Sequence, residues 1–81
     1  MDLQDFIEKF AEQFVETDPK EFKASTEFKK LVDWNSMTAL SVIAMVDDEY
    51  GITMKGEDIR KSGTVHDMFK IVSEREDNVI S

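Results

Sequence analysis

Few residues of this 81-residue chain could do chemistry, since it holds one His and no Cys. The most promising is Ser36, inside the stretch WNSMTALSVIAMVDDEYGI at positions 34–52. A serine at the start of a helix is most often a cap, because its oxygen can accept from an N–H of the first turn that lacks an intrahelical partner. The same position also favours an anion, so a phosphodiester built on the Ser36 hydroxyl would be stabilised by the helix dipole. Its setting sharpens that second reading. Met37, Leu40 and Ala44 follow within one to two turns, off the core-facing stripe, and Asp47, Asp48 and Glu49 crowd the far end.

The other candidates carry less. His66 has no second His, Cys or base beside it and reads as a surface residue in the first turn of the last helix. The run DDEYGITMKGED fails as a calcium loop, because a loop beginning at Asp47 puts Gly51 and Ile52 where an oxygen ligand and a glycine are required. No Gly-rich phosphate loop and no nucleophile–base pair can be assembled. No metal site and no enzymatic activity of its own are expected.

The elements that must position Ser36 follow from periodicity. Between Asn35 and Gly51, the residues Ala39, Val42, Ile43, Val46 and Tyr50 recur at helical spacing and predict one core-facing stripe. Asn35 or Ser36 opens this helix, and Gly51 is free to take the positive φ that closes one. The three acids of its last turn oppose the dipole at a cost of about 0.3–1 kcal/mol each, so stability alone does not account for them. Upstream, Asp2 caps a helix of about four turns that carries Leu3, Phe6, Ile7, Phe10 and Phe14 and ends before Pro19. Asp18-Pro19-Lys20-Glu21 predicts a short turn leading to Phe22, and another runs from Thr26 through Phe28 to Leu31. Downstream, a brief helical segment at 56–61 turns Ile59 inward. A last helix then starts at Gly63-Thr64 with Val65, Met68, Phe69 and Val72 as its stripe. No strand pattern is present.

These elements predict an all-α, single domain over residues 1–81, with a polar tail fraying from about Glu76. Eighteen acids against ten bases give a net charge of −8, which argues against nucleic acid and anionic membranes and for basic patches on protein partners. The start MDLQDFIEKF has neither the basic residues nor the apolar run of a signal peptide. A soluble, cytoplasmic monomer is expected. Asp47, Asp48 and Glu49, with Glu57 and Asp58 a short loop away, are expected to concentrate like charge, so that mild acid stabilises the fold.

Trp34-Asn35-Ser36-Met37 followed by TALSVIAMVDDEYGI resembles the aspartate-serine-leucine attachment motif and recognition helix of acyl carrier proteins. Gly63-Thr64-Val65 is similar to the start of that family's final helix, and the likeness runs from about Phe28 to Val72, more loosely through the first helix. The resemblance implies a four-helix bundle with a short third helix and a 4′-phosphopantetheine arm on Ser36, making the chain a phosphoprotein that holds intermediates as thioesters. It implies partner contacts through Asn35, Met37, Leu40, Ala44, Asp47 and Asp48. The partners would be a phosphopantetheinyl transferase, an acyl- or aminoacyl-loading enzyme, and downstream acyl-transfer or synthase enzymes. The cargo it implies is fatty acyl, polyketide, amino acid or D-alanyl. This chain departs from the pattern at Asn35, Thr38 and Ser41, each of which removes negative charge from the front of the helix, with Asp33 as a partial replacement. Those changes point to a specialised discrete carrier serving a dedicated pathway. The alternative is an acidic helical adaptor that bears no prosthetic group and binds a basic protein through the same face.

Overall fold

The computed structural model describes residues 1–78. Four helices, α1 (Leu3–Ala11), α2 (Ser36–Tyr50), α3 (Gly56–Lys61) and α4 (Val65–Asn78), are joined by loops that carry 3-10 turns at Pro19–Glu21 and Phe28–Lys30. No strand occurs among the described residues. The fold is a small helical bundle in which α1 packs on α2 and α4, and α3 packs on α4. Among the described residues no helix is long and apolar enough to cross a membrane.

Local hydrogen bonds set the helix ends. The Asp2 carboxylate accepts from the Asp5 N–H at 3.1 Å and opens α1. At α4, Thr64 Oγ1 accepts from the Asp67 N–H at 3.1 Å, while the Asp67 carboxylate accepts from the Gly63 and Thr64 N–H groups at 2.9 and 3.0 Å. That reciprocal arrangement satisfies several donors that a helix start leaves over. Gly51 closes α2 at a φ of 67°, a conformation a side chain disfavours, and its N–H donates to the Asp47 carbonyl at 2.9 Å. The last helix continues through Asn78, so Glu76 is still helical, and the remainder of the expected fraying tail lies outside the described residues.

α1 is shorter than its apolar spacing predicts, ending at Ala11. The chain then tightens, with the Gln13 N–H donating to the Phe10 carbonyl at 3.1 Å and the Phe14 N–H to the Ala11 carbonyl at 3.0 Å. Phe14 nevertheless stays buried, its ring 5.4 Å from Phe10 and 4.9 Å from Phe22. Phe10 also meets Phe28 at 5.2 Å, and Phe28 meets Trp34 at 4.9 Å. The two 3-10 turns thus pack their aromatic residues on α1. Each fully buried Phe contributes about 1.5–3 kcal/mol in transfer free energy, so the long α1–α2 connection supplies a share of the core.

The buried face of α2 is rotated from the expected stripe. Val42 and Val46 are buried as predicted, but their buried neighbours are Thr38 and Met45, while Ala39, Ile43 and Tyr50 are only partly covered. The rotation turns α2 toward α1 and leaves Ala39 and Ile43 on the side facing α3.

Charge is also arranged differently from the expectation. Asp58 is buried and faces α4, where Arg75 holds it by two parallel hydrogen bonds of 2.6 and 2.7 Å. Arg75 also donates to the Thr53 carbonyl at 3.2 Å, and Asp58 accepts from the Lys55 N–H at 2.9 Å, so this pair fastens the α2–α3 loop to α4. Glu57 lies 3.6 Å from Lys61, and Glu49 lies 3.6 Å from Lys9, which also holds Asp5 at 2.7 Å. Three members of the expected pool of like charge, Glu49, Glu57 and Asp58, are therefore paired with cations. Arg75 holds the Asp58 carboxyl below its ordinary range. A lowered folded-state pKa means that the unfolded chain binds protons first, so stability is full above the usual aspartate pKa and falls as pH drops through the folded one. The melting temperature should be nearly level from pH 7.5 to about 5 and fall below about pH 4. Asp58→Asn should lower the plateau by at least about 5 °C and flatten the acid limb, as a thermal melt series would record.

Candidate functional site

The site is the N-terminus of α2. Asn35 is extended, at φ −158°, and its side-chain oxygen accepts from the Thr38 N–H at 3.0 Å. Asn35 therefore caps the helix, and Ser36 is its first helical residue. The two polar residues divide the work: the cap needs only Asn35, and the exposed Ser36 hydroxyl takes no hydrogen-bond partner among the described residues. The N–H groups of Ser36 and Met37, at the first two helical positions, have no intrahelical acceptor and face outward from the positive end of the dipole.

Thr38 and Asp33 hold this end in place. Thr38 is buried and its hydroxyl donates to the Asp33 carbonyl at 2.6 Å. The Asp33 carboxylate accepts from the Glu16 and Thr17 N–H groups at 2.9 and 3.1 Å, and from the Thr17 hydroxyl at 2.7 Å. Burial pushes the Asp33 carboxyl up, but these donors outweigh it and hold the pKa below the ordinary value. Asp33 is 7% exposed, so it does not replace the missing negative charge at the front of α2. Its work is to bind the chain after α1 to the start of α2. The neutral Thr38, likewise, is buried and adds no charge to the front of α2.

Two grooves flank Ser36. On one side a cleft of about 670 Å³ runs between α2 and α3, with Ala39, Leu40 and Ile43 on one wall, Ile59 on the other, and Trp34 and Ser36 at one end. Its volume lies within the range of small-molecule sites, about 300–1,000 Å³. Lys29 and Arg60 stand at its edge. This cleft explains why Ala39 and Ile43 are only partly buried. On the other side a smaller groove of about 430 Å³ includes Met37, Ser41, Val15 and Glu16.

All six residues expected at a partner surface, Asn35, Met37, Leu40, Ala44, Asp47 and Asp48, are exposed on α2 and at its cap. Met37 and Leu40 are 76% and 64% exposed, large values for residues of their size. They do not share one groove: Leu40 borders the α3 cleft, Met37 the Val15 groove, and Ala44 and Asp48 a third depression with Lys9 and Glu12. The sequence reading missed Val15 and Val32, which are 93% and 83% exposed. Val15 could have been noticed as an apolar residue off the stripe that ends at Phe14. Lys29, Arg60 and the tether made by Asp33 depend on distant parts of the chain and had no local signal. His66 is exposed in the first turn of α4, its ring 6.2 Å from Phe69, and lies with Ala24 and Thr64 outside all three α2 grooves.

Thr38→Val keeps the shape of the side chain and removes the donor to the Asp33 carbonyl. It should destabilise the fold by about 1–2 kcal/mol and speed amide exchange at the first turn of α2 and at Glu16 and Thr17. Urea unfolding and native-state hydrogen exchange would measure both effects.

Comparison with known family models, with curated proteins and with solved structures finds no match to this chain, so its functional reading rests on the residues at the start of α2 and on their geometry.

Proposed function

We propose that this chain is a carrier of the acyl-carrier type, a non-catalytic protein that bears a 4′-phosphopantetheine arm on Ser36 and presents acyl or aminoacyl groups to partner enzymes. One observation carries the reading: an exposed serine hydroxyl, relieved of capping by Asn35, stands at a helix N-terminus at the end of an apolar cleft. Cap, hydroxyl and cleft each have bland explanations alone, but together they fit an attached anion with an apolar cargo beside it.

The arm, when attached, supplies a thiol that holds the cargo as a thioester. The chain's own residues do the rest. Loading from coenzyme A joins Ser36 Oγ to the phosphorus of the phosphopantetheine half. The pyrophosphate bond breaks, adenosine 3′,5′-bisphosphate leaves, and the serine proton passes to the transferase. The free N–H groups of Ser36 and Met37 and the dipole of α2 favour the resulting negative charge. Ala39, Ile43 and Ile59 offer the cargo an apolar wall, and the exposed Met37 and Leu40 give partners apolar contacts. Asp47 and Asp48 draw in basic surfaces, consistent with a net charge of −8.

Incubation of the protein with coenzyme A and a broad-specificity phosphopantetheinyl transferase should add the mass of one phosphopantetheinyl group, and Ser36→Ala should add none. A wild-type protein that gains no mass, or a Ser36→Ala variant that gains the same mass, would refute the carrier and favour the acidic adaptor. The acids have their own test. Asp47→Lys with Asp48→Lys should raise the transferase's KM for this chain by about tenfold with little change in kcat, and wild-type KM should rise with salt. A KM indifferent to both would show that these charges only aid solubility.

A further inference from the structure

The α2–α3 cleft differs electrostatically from everything around it. The chain carries 18 acids against 10 bases, yet the cleft wall contains Lys29 and Arg60 and no acid. The neighbouring grooves are mainly acidic: Glu16 and Asp33 line the one beside Met37, and Glu12, Asp48 and Glu49, with Lys9, the one beside Ala44. Among the described residues neither Lys29 nor Arg60 has a carboxylate within salt-bridge distance, whereas Lys30 and Lys61, each the next residue along, are paired with Glu27 and Glu57. Both cations are fixed against α3. Lys29 Nζ donates to the Arg60 carbonyl at 3.1 Å, and the Arg60 guanidinium lies back along α3, with Nη1 3.5 Å from where a side chain on Gly56 would begin. An apolar body edged by two such charges suits a molecule with a short hydrocarbon part and an anionic end.

Resting on the carrier reading, we propose that the cleft selects acyl groups bearing a second carboxylate, with the hydrocarbon part against Ala39, Ile43 and Ile59 and the free carboxylate between Lys29 and Arg60. The arm's own phosphodiester does not need these cations, because its oxygens attach at Ser36, where the first N–H groups of α2 lack acceptors. A neutral chain would fill the cleft equally well but leave both charges unanswered.

The test loads the wild-type chain from octanoyl-coenzyme A and from suberyl-coenzyme A, cargoes of equal carbon number that differ in the terminal carboxylate. Intact mass first establishes that each form is loaded, so failure of loading indicts the carrier reading and not the cleft. The suberyl form is expected to melt at least about 3 °C above the octanoyl form in low salt. It should also shift the Arg60 side-chain N–H resonance, which the octanoyl and unacylated forms leave in place. Lys29→Gln with Arg60→Gln should erase the difference between the two cargoes while the unloaded variant melts within about 2 °C of wild type. If loaded suberyl and octanoyl forms melt alike, or if the unacylated arm alone moves the Arg60 resonance to the same extent, the proposal fails. In the second case the cations serve the phosphodiester.

Discussion

Asp33 is the residue on which the geometry of this protein turns, because it joins two parts of the chain by using both its side chain and its backbone. Its carboxylate gathers two backbone N–H groups and a hydroxyl from Glu16 and Thr17, and its carbonyl accepts from the Thr38 hydroxyl. A buried carboxylate is costly unless its oxygens are occupied, and here three donors occupy them. The consequence reaches upstream, where the captured amides draw the chain out of helix after Ala11. It also reaches downstream, where Thr38 is held inward and the first turn of α2 takes a fixed rotation. With Thr38 inside, Ser36 is outside and Ala39 faces the cleft. The exposure of the serine is thus set by a backbone carbonyl three residues before it, on a residue whose carboxylate is anchored to Glu16 and Thr17.

The aromatic residues complete what Asp33 begins. Phe14 sits between Phe22 and Trp34, with ring centres 4.9 and 6.1 Å away, so the chain that Asp33 pulls from helix is at once covered by the connection to α2. Trp34 also forms an end of the cleft. One ring therefore belongs to both the core and the site, and loss of packing in the connection would be felt at Ser36. At the other end of α2, the Tyr50 hydroxyl donates to Asp5 at 3.0 Å, and Lys9 bridges Asp5 to Glu49. Hydrogen bonds from Lys9 and then Tyr50 hold the Asp5 carboxyl below its ordinary range, while burial, more than the neighbouring Asp5, pushes the Tyr50 hydroxyl well above its own. This end of the helix is secured to α1 at the cost of one acid from the exposed cluster.

What could be read from the sequence divides by distance along the chain. Asp2, Asp18, Asn35, Gly51 and the Thr64–Asp67 pair all bond within four residues, and local pattern located each of them. The cap at Asp58 was equally local, an acid three residues past Lys55, but it was read only as surface charge. Its other partner, Arg75, is 17 residues away, and Asp33 finds Thr17 at a separation of 16. No periodicity reports such pairs. The rotation of α2 escaped for a related reason: Met45 and Ile43 are equally apolar, and which one is buried depends on the side from which α1 approaches. The sequence located the hydroxyl and the exposed Met37 and Leu40, but the cleft between two helices exists only once their packing is known.

The distribution of charge follows from the same packing. Acids concentrated on one helix end would repel one another, and pairing Glu49 with Lys9, Glu57 with Lys61 and Asp58 with Arg75 relieves that. Asp47 and Asp48 are the acids of this stretch that remain exposed without a salt bridge among the described residues. They also lie on the exposed side of α2 that carries Leu40 and Ala44. Two of the cations without a salt bridge among the described residues, Lys29 and Arg60, line the cleft, where no acid of the wall can neutralise them. The helix that holds Ser36 is therefore bordered by fields of opposite sign, negative along its exposed face and positive where it meets α3. A basic protein surface would meet the first and an anionic group on a small molecule the second, so the two classes of partner need not compete for the same side of the helix.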